Sequence, residues 1–105
     1  MLDRVAQLEP TVLLAVDGYR YGRHTVDRSL ELDRIRSGLP SLRHCVVLAY
    51  LDADCPPPPD AISWTDLLLD QSPAAPLEFE QVPSDHPLYV LFSSGTTGLP
   101  KAIVH

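Results

Sequence analysis

The chain has 105 residues, 8 lysines and arginines against 14 aspartates and glutamates, a formal charge of −6 and 45% hydrophobic residues. This is the composition of an ordered globular chain, and one of this size buries roughly 65% of its unfolded surface, enough for a modest core but not for a two-domain active site. The apolar run Val46–Leu51 is far shorter than the roughly 20 residues of a transmembrane helix, and Met1-Leu2-Asp3-Arg4 lacks the basic start of a secretory signal, so the expectation is a cytoplasmic chain with no membrane span.

Thr11–Val16, bounded by Pro10 and by Asp17-Gly18, is a short apolar run with β-branched residues and predicts a buried strand. Asp17-Gly18 reads as a turn, with Tyr19–Gly22 as a short return strand whose next bend falls at Gly22. From Thr25 to Ser37 the apolar residues Val26, Leu30, Leu32, Ile35 and then Leu39 recur at helical spacing. Thr25 is the expected cap, and Gly38 followed by Pro40 the expected stop. Cys45–Tyr50 predicts a second buried strand, so strand, helix and strand follow one another as in a parallel βαβ unit.

Asp52–Asp60 contains four consecutive prolines and predicts a stiff surface loop. Ser63 then caps an expected short helix, Trp64–Leu69, and a second proline-broken stretch, 73–87, follows. Leu88–Ser93 and Ala102–His105 read as two further strands around a glycine-rich segment. The chain stops inside the second, which suggests an internal piece of a larger domain.

Charge and cysteine placement narrow the function. Up to His44 seven arginines are interleaved with six acids, whereas from Cys45 onward eight acids face one cation, Lys101. No basic stripe exists to neutralise several phosphates of a nucleic acid. Cys45 and Cys55, with nine residues between them, fit no zinc spacing; no metal-ligand set is expected. Cys45 reads as a small core residue and Cys55 as a free thiol in a loop. Isolated histidines at 24, 44 and 86 read as structural, Tyr19 and Tyr21 as packing residues, and Trp64 as a helix anchor.

Ser93-Ser94-Gly95-Thr96-Thr97-Gly98-Leu99-Pro100-Lys101 gathers four hydroxyls, two glycines and a lysine. Glycines admit positive φ and bring amide N–H groups up to an anion, hydroxyls add donors, and the lysine supplies a point charge. The pattern is not a Walker A loop. Pro100 stands where its second glycine belongs, Ala102 replaces its Ser/Thr, and Pro100 prevents the immediate helix that such a loop feeds. A plain hairpin loop has a similar composition.

Order separates the two readings. The run S-S-G-T-T-G-L-P-K between an apolar strand and A-I-V-H resembles the phosphate-binding signature of the adenylate-forming superfamily of acyl-CoA synthetases, luciferases and peptide-synthetase adenylation domains. Ser84–Phe92 and Gly38-Leu39-Pro40-Ser41-Leu42 are similar to its short-chain branch. Val12–Gly22, Ser63-Trp64 and Phe79–Pro83 most resemble the acetoacetyl-CoA synthetases within it.

The resemblance implies an α/β fold, with residues 1–105 a partial Rossmann-like βαβ portion of an AMP-binding (adenylation) domain ending in strand, glycine-rich loop and strand, and with Pro-rich loops at 52–60 and 73–87. It implies a ligase that makes an acyl-adenylate from acetoacetate and ATP, releasing pyrophosphate, and then transfers the acyl group to CoA. Ser94, Gly95, Thr96, Thr97 and Gly98 would cradle the ATP phosphates, and Lys101 would offset charge on the leaving pyrophosphate. Mg²⁺ would accompany the phosphates. The remaining sites of the family lie outside these residues, so the 105-residue chain is expected to show no turnover alone. Other readings are a non-catalytic interaction module and a relative acting on another short-chain acid.

Overall fold

In the computed structural model, which describes residues 2–93, 98 and 100–105, Val12–Val16 and His44–Leu48 form strands β1 and β4. They run parallel, with Val12 opposite His44 and Val16 opposite Leu48. Between them in sequence lie β2 (Gly18–Tyr21), β3 (His24–Asp27) and helix α2 (Ser29–Ser37). The predicted βαβ unit is therefore present, with a hairpin inserted before its helix. A third parallel strand, β5 (Ile62–Ser63), lies beside β4 in the order β1-β4-β5. Helix α1 (Leu2–Val5) and a single 3-10 turn (Ala6–Leu8) precede the sheet. Helix α3 (Trp64–Leu69) follows β5 and packs on β4 and β5. An antiparallel ribbon of β6 (Val90–Ser93) and β7 (Lys101–Val104) closes the chain.

Alternation along β1 decides where the core sits. Leu13 and Ala15 point to the layer under α2, where they meet Leu32, Cys45 and Val47, while Val12, Leu14 and Val16 remain exposed on the other face. Cys45, Val46 and Val47 are all buried, as befits a central parallel strand covered on both faces. Leu39, 2% exposed, closes the start of the sheet.

Several expectations are corrected. Thr25 does not cap the helix; it lies in β3, and α2 begins at Ser29, whose backbone N–H donates to the Asp27 carboxylate at 2.7 Å. A carboxylate at a helix start satisfies an orphan donor and meets the positive end of the dipole. Val26 and Leu30 drop out of the helical stripe accordingly. Leu30 is 72% exposed, leaving Leu32, Ile35 and Leu39 to face the core. Tyr19–Gly22 does not return along β1. It pairs with β3 instead, through a bend at Gly22 with φ +59°.

Tyr19 does pack: the Arg28 guanidinium lies 5.3 Å from its ring centroid and donates to its hydroxyl at 2.8 Å. Tyr21, 77% exposed, does not. Ser63 occupies the N-cap position of α3, yet its hydroxyl makes no capping bond. The two strands around the glycine-rich segment form their own sheet rather than extending the parallel one.

Asp17 is the hinge pin between β1 and the chain leaving β4. Its carboxylate accepts the backbone N–H groups of Tyr50 at 2.8 Å, Leu51 at 3.0 Å and Asp52 at 3.4 Å. Burial pulls this carboxyl upward, but the N–H groups of Leu51, Tyr50, Asp52 and Gly18 together outweigh it and hold it below its ordinary value. Gly18 is buried directly after it, where any side chain would collide with the Val26 carbonyl oxygen and the Leu51 side chain. The proline stretch 52–60 has no helix or strand and is tied back to α2 by Arg36, which donates to the Pro59 carbonyl at 2.6 Å.

Candidate functional site

The glycine-rich segment connects β6 to β7, and its geometry is set by the ribbon. Register is Val90 to Val104, Leu91 to Ile103, Phe92 to Ala102 and Ser93 to Lys101. One pair further from the loop, Tyr89 and His105 exchange both backbone bonds, His105 N–H to the Tyr89 carbonyl at 2.8 Å and the reverse at 3.1 Å. Their rings stack with centroids 5.2 Å apart and planes 21° from parallel. The terminal histidine thus has a defined structural partner.

Alternation along an antiparallel pair places Ser93 and Lys101, like Tyr89 and His105, at a hydrogen-bonded position. Same-face residues recur every second position, so Lys101 shares its face with Ser93, Leu91 and Ile103. Lys101 is exposed, and among the described residues it takes part in no ion pair. The acidic second half therefore presents its single cation where β7 leaves the loop. Gly98 has φ +90°, a left-handed backbone that glycine adopts without steric cost.

Ser94, Gly95, Thr96 and Thr97, predicted as phosphate donors, lie outside the described residues.

Sequence reasoning missed Gln7, whose side-chain amide donates to the Pro100 carbonyl at 3.4 Å and to the Asp3 carbonyl at 2.9 Å. No motif contains it; only the fold brings it to the base of the loop. A cleft of about 790 Å³ lies elsewhere. It runs along the free edge of β1 between Leu14, Val16, Ile35 and Trp64, with Arg28, Glu31 and Arg34 also on its wall. Among the described residues no group of three or more His, Cys, Asp or Glu is placed to hold a metal ion, and no helix is long and apolar enough to cross a membrane.

A parallel βαβ sheet followed by an antiparallel ribbon that carries a lysine defines an α/β class of protein. Within that class the chain belongs to the AMP-binding enzyme family, whose sequence profile matches residues 1–105. It is 37% identical to an acetoacetyl-CoA synthetase of Danio rerio over 100% of this chain and 17% of that protein. A malonamoyl-CoA synthetase of Penicillium aethiopicum is 35% identical over 99% of the chain and 15% of its own length. Among solved structures, an acetoacetyl-CoA synthetase from Streptomyces lividans is 48% identical, with a TM-score of 0.85 over 98% of this chain and 15% of that one. The chain therefore spans about a sixth of the length of the curated relatives it matches.

Proposed function

We propose that residues 1–105 are the phosphate-binding portion of the adenylation domain of an AMP-forming acid–CoA ligase, with the segments 52–60 and 73–87 as loops within that domain. The observation that carries the reading is Lys101. It is the single cation of the acidic half, exposed and outside any ion pair among the described residues, at the foot of a loop with a left-handed glycine. In the proposed reaction a carboxylate attacks the α-phosphorus of ATP, pyrophosphate leaves, and CoA thiol then displaces AMP from the acyl-adenylate. Ser94, Gly95, Thr96, Thr97 and Gly98 bind the departing phosphates. Lys101 offsets the charge that grows on them, the kind of electrostatic stabilisation that contributes most to many enzymes.

Mg²⁺ enters as part of the nucleotide substrate. The nucleotide's phosphate oxygens hold it in part.

Acetoacetate is the proposed acid. Acetoacetyl and malonamoyl, the acyl groups named in the relatives, both carry a carbonyl β to the reacting carbon and differ by a methyl against an amino group, which favours a short β-carbonyl acid over a plain fatty acid. The partners are thus small molecules rather than nucleic acid, since the arginines of the first half are interleaved with acids. Two free cysteines, one buried and one exposed, suit a reducing cytoplasm.

The test is acetoacetate-dependent ATP–pyrophosphate exchange by the complete natural polypeptide carrying these residues, with and without Lys101→Ala. A slowed exchange in a folded variant supports the assignment, and an unchanged rate removes Lys101 from the mechanism.

A further inference from the structure

The glycine-rich loop is held from outside its own ribbon at one described point, and that point is Gln7. The segment carrying Gln7 is anchored at the start of the sheet. The Thr11 carbonyl accepts the backbone N–H groups of Arg43 at 2.8 Å and His44 at 3.1 Å, and the Pro10 carbonyl accepts the Ser41 hydroxyl at 2.7 Å. A side-chain amide has two N–H donors. In Gln7 both are engaged, one turned back on the Asp3 carbonyl of its own helical segment and the other reaching Pro100, so the side chain is fixed at its root and aimed at the loop.

Among the described residues this is the one hydrogen bond between residues 88–105 and the chain before them. Its acceptor matters. The carbonyl of Pro100 belongs to the same peptide group as the N–H of Lys101, which sits at a hydrogen-bonded position opposite Ser93. That peptide plane is gripped on one side by β6 and on the other by Gln7, which fixes the direction in which the Lys101 side chain leaves the backbone.

We propose that Gln7 is a positioning residue for Lys101, acting through the Pro100 carbonyl to tie the base of the phosphate loop to the parallel sheet. The proposal rests on the phosphate-binding reading of the loop given above. It concerns orientation: Gln7 touches no substrate, and its removal leaves the loop sequence intact but freer to rotate about its exit.

The experiment uses the complete natural polypeptide carrying these residues and compares Gln7→Glu with Gln7→Lys. Glutamate matches the size of glutamine but its carboxylate has no proton to donate, whereas lysine restores an N–H donor. Hydrogen–deuterium exchange of the amides of residues 98, 99, 101 and 102 is expected to quicken roughly threefold to tenfold in Gln7→Glu, the effect of one lost neutral hydrogen bond, and to recover in Gln7→Lys. In pyrophosphate exchange the KM for MgATP is expected to rise by a similar factor while the KM for the acid stays put. Unchanged amide exchange in Gln7→Glu overturns the proposal, as does equal impairment by both substitutions or a parallel loss of affinity for both substrates. Failure of MgATP to protect the amides of residues 94–99 and 101 in the unsubstituted protein would instead refute the phosphate reading, while the comparison of the two Gln7 variants would still decide whether Gln7 anchors the loop.

Discussion

Asp17→Asn tests whether the clamp at the end of β1 stabilises the sheet. The carboxylate takes three backbone N–H groups, those of Tyr50, Leu51 and Asp52. A bond to a charged acceptor contributes about 1.5–3 kcal/mol when its groups are kept from water. Tyr50 and Asp52 are exposed, so their amides can turn to solvent at little cost, and Leu51 is half-buried. An amide in place of the carboxylate keeps one accepting oxygen but aims an NH₂ group at a backbone N–H.

Counting Leu51 nearly in full and the other two as small fractions gives a loss of about 2 kcal/mol, or roughly a thirtyfold fall in the folded-to-unfolded ratio. Because the native carboxyl lies below its ordinary value, its contribution is complete above the unfolded-state pKa of about 3.9 and disappears as pH falls through the native value. Urea unfolding of the chain followed by the fluorescence of its single tryptophan, Trp64, measures both quantities. The gap between the two proteins should hold steady from pH 7 to about pH 5 and narrow as acid protonates Asp17. A gap below about 0.5 kcal/mol at pH 7, or one that stays constant through pH 3, refutes the clamp.

The neighbouring Gly18→Ala substitution drives a methyl group into the Val26 carbonyl and the Leu51 side chain; a loss of about 1–3 kcal/mol by the same urea assay is expected from the forced backbone shift. Burial pushes the Cys45 thiol up in pKa, against a small opposing pull from Arg36, whereas Cys55 is exposed. A disulfide reagent should therefore titrate one thiol rapidly in the native chain and two in urea, and two fast equivalents without denaturant would contradict the packing of β4. In the complete natural polypeptide, Lys101→Ala should reduce pyrophosphate exchange on the order of 10²-fold, the scale of one lost oxyanion donor, with the unfolding midpoint unmoved.

Local rules carried the sequence reading as far as local signals extend. The runs at 11–16 and 45–50 announce buried strands because both faces of a central parallel strand are apolar, and β1 and β4 follow within one or two residues. The helix starts later than the apolar spacing predicts, for a physical reason. Val26 and Leu30 happen to continue the spacing of Leu32, Ile35 and Leu39, but Val26 is claimed by the β2–β3 hairpin, and the Asp27 carboxylate begins the helix two residues later. Strand β5, only Ile62–Ser63, is too short to show a period and exists because β4 offers it a partner. Lys101 and Gly98 stand out in the sequence as candidates, since a lysine and a glycine at fixed places in a Ser/Thr run are local facts. Gln7 does not, because its partner lies 93 positions away and only tertiary structure joins them.

Register is what converts the loop motif into a site. A two-stranded ribbon is marginal by itself, and this one exposes Leu91, Ile103 and Val104, so its own side chains bind its register weakly. A slip of one residue would move every side chain of β7 to the opposite face, taking Lys101 away from Ser93 and the glycine-rich turn. Three features oppose that slip: the doubly bonded Tyr89–His105 pair at the base, the positive φ of Gly98 in the connection, and Gln7 on the Pro100 carbonyl. They act at different heights of the ribbon and share no residue. The charge of Lys101 is therefore held in place less by the residues around it than by the strand pairing below it and the sheet beside it.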